Sequence, residues 1–298
     1  MRVGLSCYDI SASELVALGV AAEAAGFDSV WLGEHVVLPV DYGSEHPTTG
    51  DTAHQHHTGP IVDPSTTLVD PLVALSAVAA ATSSLRLATG IYLLPLRPPL
   101  VTARMTATLA DVSGGRFMLG VGSGWLEEEF AAVGVPFDER RARYEESIAI
   151  LRQAWSGKPF AHDGTYWRFG RVQVSTSPVE VPLVLGGNTE AALRRAAAVA
   201  DGWFASGTPS FEDAVVLRRR LLELRDELGR HEPFPMHVRV ASPDVPLDAY
   251  EGAGFASVLV WADQVWPGSS SPGGAAAAAA TLAEAGSRLG LTPPEVSS

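Results

Sequence analysis

Short apolar runs alternate with alanine- and leucine-rich helical segments along almost the whole chain of 298 residues. We count eight such pairs, from the run RVGLSCY at residues 2–8 to the run FASVLVWAD at residues 255–263. The runs are continuously apolar, which is typical of parallel strands buried on both faces. Eight strand–helix units in a chain of this length favour a closed barrel over an open doubly wound sheet. The sequence therefore predicts an α/β fold, a (β/α)8 TIM barrel, with residues 1–298 forming a single domain.

Two segments interrupt this alternation. A long polar loop spans residues 40–68 after the second strand, and HDGTYWRFGRVQVS at residues 162–175 is typical of a hairpin, placed before the fifth strand. A polar connection of that length is unusual in a barrel, so we expect the loop to form part of the rim of a substrate pocket. The helix after the loop should begin at Asp70 as N-cap, with Pro71 in its first position.

Composition disfavours several classes of function. The net charge of −13 argues against a surface for DNA, RNA or anionic membranes. Cys7 is the only cysteine, the N-terminus lacks the apolar region of a signal peptide, and no stretch is apolar enough to span a membrane. Lys158 is the only lysine and lies in the turn-like stretch SGKPF, which disfavours Schiff-base chemistry. We therefore expect a cytoplasmic protein that binds neither nucleic acid nor membrane.

In barrels of this type the chemistry gathers at the C-terminal ends of the strands. That rule selects a limited set of candidates from the predicted strand ends. They are Cys7, Glu34, His35, residues 89–92, residues 122–125, residues 186–189, Ser206 and Asp263.

The fourth predicted strand ends in GVGSGW, followed by three glutamates. Gly120, Gly122 and Gly124 are spaced as GxGxG, but three strand–helix units precede them, whereas a Rossmann fingerprint follows the first strand. We interpret these glycines as the floor of a ligand site, with close packing at a crowded barrel rim as the alternative. Trp125 can wall a flat ring. The glutamates at 127–129 lie in the first turn of a helix, where they complement the helix dipole, and we expect no chemical role for them.

A second glycine turn opens a helix in the sequence LGGNTEAAL. Backbone N–H groups at a helix N-terminus are free to bind phosphate, and barrels frequently hold phosphate at a late strand end. Gly186 and Gly187 permit close approach of a ligand, and Asn188 or Thr189 can cap the helix or contact an oxygen. An ordinary capped helix is the alternative.

Histidines fall into two groups. His35 ends the second predicted strand in the sequence GEH, where an imidazole can donate a hydrogen bond or move a proton near neutral pH. The others that matter here lie in the long loop, and we interpret them as solvent-exposed or as part of a lid rather than as metal ligands: His46, His54, His56 and His57. Cys7 has no evident general base and is interpreted as a small core residue.

Four segments, taken together and in order, resemble the bacterial luciferase-like monooxygenase superfamily, and most closely its branch that depends on the deazaflavin coenzyme F420. They are DSVWLGEH, DPLVALSAVAAATSSLRLATGIYLLPLRPP, GGRFMLGVGSGWLEEEFAAVGVPFDERRARYEESIAIL and VPLVLGGNTEAALRRAAAVADGW. The resemblance covers roughly residues 1–265. It implies a (β/α)8 barrel that holds a flavin or deazaflavin at the C-terminal face, in agreement with the count of strand–helix units.

The resemblance also implies roles for particular residues. His35 corresponds to the histidine beside the deazaflavin ring, and Gly186 and Gly187, with their neighbours, correspond to the phosphate-binding turn. The third-strand bulge that backs the ring corresponds to Thr89, Gly90 and Ile91, with a non-proline cis peptide between Gly90 and Ile91. Gly122 and Trp125 are carried over as further cofactor contacts, whereas sugar-6-phosphate dehydrogenases of this branch have a glutamate at the position of Trp125. That difference argues against sugar oxidation.

Three functions remain open from the sequence. The first is an F420-dependent oxidoreductase that transfers a hydride between the deazaflavin and a small organic substrate. The second is an FMN-dependent monooxygenase that uses reduced flavin and O2, and the third is a non-catalytic flavin-binding protein. A Rossmann-type methyltransferase is a more distant alternative. We expect a small-molecule substrate and no metal, and the resemblance is compatible with a homodimer.

Overall fold

The computed structural model describes residues 1–45 and 63–294. Within these residues eight parallel strands form a closed ring in which each strand pairs with its neighbours in chain order, and the last strand pairs with the first. They are β1 (Arg2–Cys7), β2 (Ser29–Leu32), β3 (Arg86–Thr89), β4 (Phe117–Gly122), β5 (Leu183–Gly186), β6 (Gly202–Phe204), β7 (Met236–Arg239) and β8 (Ser257–Trp261). The predicted (β/α)8 barrel is confirmed.

The helices of the described residues pack around this barrel. They are α1 (Ala12–Ala24), α2 (Pro71–Ala81), α3 (Pro99–Val112), α4 (Glu127–Ala132), α5 (Arg140–Ala154), α6 (Glu190–Val199), α7 (Phe211–Glu227), α8 (Leu247–Gly252) and α9 (Gly274–Arg288). Helix α2 begins as its sequence predicts, because Asp70 accepts hydrogen bonds from the Leu72 and Val73 amides at 3.0 Å and Pro71 takes the first helical position. None of these helices is long and apolar enough to cross a bilayer.

One of the two predicted interruptions lies fully within the described residues. A short strand Phe160–Asp163 pairs antiparallel with Arg168–Val172 between α5 and β5, which confirms the hairpin. Most of the predicted polar loop between β2 and α2 lies outside the described residues, and so do its four histidines, His46, His54, His56 and His57.

Bulky side chains fill the barrel interior beneath the C-terminal face. Trp31 on β2 is fully buried, and its ring lies 5.0 Å from that of Phe204 on β6. The same cluster contains Ala88, Met118, Val184 and Leu259, with Ile91 packed against it. These residues close the interior from below, so a ligand can enter only from the C-terminal face.

Polar residues also lie in this interior, among them His237 and Ser257. The Nδ1 atom of His237 lies 2.7 Å from the Ser257 hydroxyl, and burial lowers the pKa of His237 to about 3. The ring is therefore neutral at physiological pH.

Candidate functional site

A cavity of about 300 Å³ opens at the C-terminal ends of the strands. Residues at or just beyond the end of every barrel strand contribute to its lining. Seven of the lining residues are glycines, so much of its wall is backbone. The backbone stretches leave a ligand room to approach the main chain closely between the larger side chains of the lining.

The strand-end glycines accommodate the bulge that follows β3. The peptide between Gly90 and Ile91 is cis, as the resemblance implied. A Cβ atom on Gly120 would lie 2.0 Å from the Thr89 carbonyl oxygen, and one on Gly122 would lie 1.9 Å from Cδ1 of Ile91. Gly120 therefore requires glycine, because the close contact is with backbone, whereas the contact at Gly122 is with the movable end of the Ile91 side chain. Gly122 also lines the cavity. Close packing is thus present at the barrel rim, and the role of Gly122 as the floor of a ligand site stays a prediction.

The side chain of His35 lines the cavity and is held from behind by a buried carboxylate. Its Nδ1 atom lies 2.9 Å from Oε2 of Glu129, and Oε1 of Glu129 accepts the backbone N–H of Val36 at 2.5 Å. Glu129 is 0% exposed. In the tautomer that donates from Nδ1 to the Glu129 carboxylate, Nε2 is the nitrogen free for proton exchange.

This contact changes the interpretation of the three glutamates. All three lie in the first turn of α4, where negative charge is favourable. Glu127 is exposed, but Glu128 and Glu129 make specific contacts with the segment after β2. The helix dipole alone therefore does not account for Glu129, because its carboxylate also contacts His35.

Glu128 anchors the beginning of the long connection. Its carboxylate accepts the backbone N–H of Gly43 at 2.7 Å, and the Ser44 hydroxyl donates to it at 2.7 Å. The Gly43 amide and the Ser44 hydroxyl together lower the pKa of Glu128 to about 2. Helix α4 thus holds both His35 and the segment that leads from it.

Aromatic rings flank His35. The ring of Trp125 lies 6.1 Å from the imidazole at an interplanar angle of 84°, and the ring of Tyr8 lies 6.3 Å away at 75°. Tyr42 packs edge-on against Trp125 from outside, at 6.4 Å. Trp125 therefore forms a wall of the cavity, as the sequence suggested.

Glu34, next to His35, is occupied by an ion pair. Its carboxylate accepts two hydrogen bonds from Arg97 at 2.8 and 2.7 Å and one from the Leu93 amide at 2.6 Å. Burial raises the pKa of Glu34, and the hydrogen bonds from Arg97 act in the opposite direction. The pair fastens the end of β2 to the chain beyond the bulge, so its role is to hold the cavity wall.

Arg239, at the end of β7, is a cation of a different kind. It lines the cavity and is only 8% exposed. Its guanidinium lies 4.2 Å from the ring centre of Trp261 and 5.0 Å from that of Phe204. No carboxylate of the described residues forms an ion pair with it. Arg239 was not among the site residues predicted from the sequence.

The glycine turn before α6 is only partly directed at the cavity. Gly186 and Gly187 line it, and Gly187 has a φ of +109° that favours glycine. The Asn188 side chain instead joins two strand ends, because it donates to the Ser206 carbonyl and accepts the Ser206 amide at 2.9 and 2.8 Å. Thr189 is the N-cap of α6 and accepts the Ala192 amide.

The structure thus brings most of the predicted residues together. His35, Gly90, Ile91, Gly122, Trp125, Gly186 and Gly187 line one cavity. Thr89, Asn188 and Thr189 lie behind it and support its wall, with the Thr89 hydroxyl donating to the Gly120 carbonyl at 2.6 Å.

Cys7 lines the cavity but is chemically quiet. Burial, with a contribution from Asp263, raises the pKa of its thiol to about 12, so the reactive thiolate is scarce at neutral pH. Nor does any cluster of His, Cys, Asp and Glu suited to a metal ion occur in the described part of the chain.

Residues 2–244 match the family model of the luciferase-like monooxygenases. The chain belongs to this family. An uncharacterised protein from Mycobacterium tuberculosis is 33% identical over 225 residues, which cover 75% of each chain. An F420-dependent glucose-6-phosphate dehydrogenase from Beutenbergia cavernae is 33% identical over 210 residues, covering 68% of this chain and 56% of that one.

Solved structures give the same fold. An F420-dependent secondary alcohol dehydrogenase in complex with an F420–acetone adduct superposes with a TM-score of 0.68 at 18% identity, covering 87% of this chain and 92% of the other. A type II Baeyer–Villiger monooxygenase from Pseudomonas putida in complex with FMN gives 0.60 at 20% identity, covering 80% and 66%. Relatives and neighbours thus include both F420- and FMN-dependent oxidoreductases, and the expectation of an enzyme of this class is confirmed.

Proposed function

We propose that this protein is an F420-dependent oxidoreductase that transfers a hydride between the deazaflavin and a small organic substrate, working as a single barrel domain. The observation that carries the proposal is the His35–Glu129 pair at the wall of a glycine-lined cavity. Curated relatives at about one-third identity named as F420-dependent enzymes support the choice of cofactor.

The lining of the cavity fits a flat ring with a phosphate-bearing tail. The bulge at Gly90 and Ile91 gives an apolar support for one ring face, and Trp125 bounds the space from the side. Gly186 and Gly187 lead into the N-terminus of α6, where free backbone N–H groups favour a phosphate. The net charge of −13 repels an anionic ligand, so these backbone N–H donors are needed to offset that repulsion.

The cofactor supplies hydride chemistry when bound, and the chain supplies orientation and proton transfer. His35 can hold or move a proton at Nε2, since Nδ1 is committed to Glu129. Glu129 fixes the ring of His35, and Glu34 with Arg97 keeps the end of β2 in place. The bulky residues below the cavity exclude water from that side.

A titration of the purified protein with F420 and with FMN, side by side, tests the proposal. We expect F420 to bind at least about tenfold more tightly than FMN, which is a difference of about 1.4 kcal/mol. Loaded protein is then screened for a change in deazaflavin absorbance with a panel of small alcohols and carbonyl compounds. Tight binding of FMN without binding of F420 would instead support the flavin-dependent monooxygenase.

His35→Ala separates binding from chemistry in the same assay. We expect turnover to fall by about 10²–10⁴-fold if the imidazole transfers a proton, with the fold intact. Binding of F420 without turnover of any substrate by the parent protein would indicate a carrier of the cofactor rather than an enzyme.

A further inference from the structure

The buried guanidinium of Arg239 forms no ion pair with a carboxylate in the part of the chain that the structure describes. Charged side chains are almost never buried unless paired, because desolvation strongly disfavours the isolated ion. Its Nε atom is buried and has no hydrogen-bond partner among the described residues. Among the described residues, its Nη2 atom donates a long hydrogen bond of 3.4 Å to the Gly90 carbonyl.

A second buried arginine shows what a structural role looks like in the same chain. Arg225 on α7 is 2% exposed and stacks 4.1 Å from the ring centre of Phe234, much as Arg239 stacks on its aromatic neighbours. Arg225, however, pairs with the Glu232 carboxylate at 3.3 Å and donates to the Glu232 carbonyl at 2.9 Å. Its Nη1 atom also lacks a hydrogen-bond partner among the described residues, but its charge faces the Glu232 carboxylate. No carboxylate within residues 1–45 and 63–294 faces the charge of Arg239 in the same way.

The carboxylates nearest the cavity cannot serve Arg239. Glu34 is held by Arg97, and Glu129 is held by His35 and the Val36 amide. The guanidinium also contacts the faces of Trp261 and Phe204. Both rings lie against the guanidinium of Arg239. A guanidinium is a planar fork of N–H donors, and it binds a planar anion through two parallel hydrogen bonds.

We propose that Arg239 is a specificity-determining residue that binds a planar, delocalised anion of the ligand in this cavity. Two sources share this chemistry, a carboxylate on the substrate and the ionised ring system of the cofactor. The identity of the cofactor as F420 rests on the proposed function. The binding of an anion by Arg239 does not depend on it. The substrate in the first case is a small organic acid with its apolar part against the glycine-lined wall.

Benzoate and its neutral isostere benzamide are suitable probes. Each is titrated calorimetrically into the cofactor-free protein and into the F420-loaded protein, and F420 is titrated separately. The variants are Arg239→Met, Arg239→Lys and the control Arg225→Met. Thermal unfolding of all four proteins is measured without ligand.

We expect benzoate to bind the parent protein at least tenfold more tightly than benzamide if the substrate is the source. Arg239→Met should abolish that preference, and Arg239→Lys should retain part of it, since the charge remains without the planar fork. If the cofactor is the source, F420 should instead bind Arg239→Met at least tenfold more weakly. Arg225→Met should leave both affinities unchanged.

Stability without ligand gives a readout independent of activity. Removing an uncompensated buried charge should leave the Tm of Arg239→Met equal to or above that of the parent protein, whereas Arg225→Met should lower it by several degrees. The proposal is overturned if Arg239→Met unfolds as early as Arg225→Met, or if neither the benzoate preference nor the F420 affinity depends on Arg239. Failure of F420 to bind while the benzoate preference depends on Arg239 would overturn the cofactor assignment alone.

Discussion

Replacement of Glu129 by glutamine tests whether α4 orients His35. The side chain keeps its shape, but one carboxylate oxygen becomes an NH2 group. Both oxygens of Glu129 accept hydrogen bonds, one from His35 at 2.9 Å and one from the Val36 amide at 2.5 Å. An amide keeps one acceptor oxygen, which the fixed Val36 N–H requires. The NH2 group then faces Nδ1 of His35 and can pair with it only in the tautomer whose Nδ1 accepts, which is the opposite of the tautomer that donates to the carboxylate.

The magnitude follows from the burial of Glu129, which is 0% exposed. A hydrogen bond to a charged group contributes about 1.5–3 kcal/mol, and water cannot replace it here. We expect Glu129→Gln to lower the free energy of unfolding by about that amount. If the same energy holds His35 in its reactive orientation, turnover should fall between about tenfold and about 150-fold, at about 1.4 kcal/mol per factor of ten.

Urea unfolding gives the stability, and single-turnover kinetics of the F420-loaded protein give the effect on chemistry. Glu127→Gln is the matched control, because Glu127 lies in the same helical turn but is exposed. It should change stability by only a few tenths of a kcal/mol. Equal and small effects of the two substitutions would refute the positioning role and leave the helix dipole as the sole explanation of the acidic run.

Three further predictions concern buried or clamped titratable groups. The folded pKa of His237 is about 3, below its ordinary value of 6.5, so the stability present above pH 6.5 should be lost as the pH falls through about 3, by as much as about 5 kcal/mol. In urea unfolding, the midpoint of His237→Gln should fall less over that pH range than the midpoint of the parent protein. The pKa of Glu128 is about 2, below its ordinary value of 4.5, so its contacts should weaken as the pH falls from about 4.5 through about 2. Hydrogen exchange should then show the Gly43 amide losing protection over that pH range in the parent protein but not in Glu128→Gln. Cys7, with a pKa near 12, should react with a thiol reagent at pH 8 only as fast as the protein opens, and prompt labelling of the native protein would contradict its assignment as an inert core thiol.

The architecture was predictable because each barrel strand is an uninterrupted apolar run. Burial on both faces requires such runs, and eight of them in sequence leave few alternatives to a closed barrel. His35 could be placed for the same reason, since it directly follows one of those runs in the sequence GEH. The fold therefore located the candidate site before any contact was known.

Side-chain partners were harder to predict, because they join residues far apart in sequence. Asn188 follows a glycine turn and looks like a ligand for phosphate, but its amide is matched by the Ser206 backbone on the neighbouring strand. Glu34 stands beside His35 in sequence, yet Arg97 neutralises it from beyond the bulge. Neither partner is suggested by a local pattern, since both depend on the register of adjacent strands.

The alternation within β7 did contain a signal for Arg239. Met236 and Val238 belong to the core between the barrel and its helices, so His237 and Arg239 face the interior. A charged residue at an inward position can be tolerated at a strand end, where the barrel opens. Its presence there therefore favours a ligand over a structural charge.

The run of three glutamates held a comparable signal. Successive residues of a helix are separated by about 100°, so three in a row cannot all face solvent on a helix packed against a barrel. Leu126 and Phe130 are both buried, and Glu129 lies three residues after the first and next to the second. It therefore belongs to the inner face of α4, where an acidic residue requires a donor. The nearest strand end on that side provides His35, so the position of one carboxylate on a helix decides which nitrogen of the imidazole is left for the ligand.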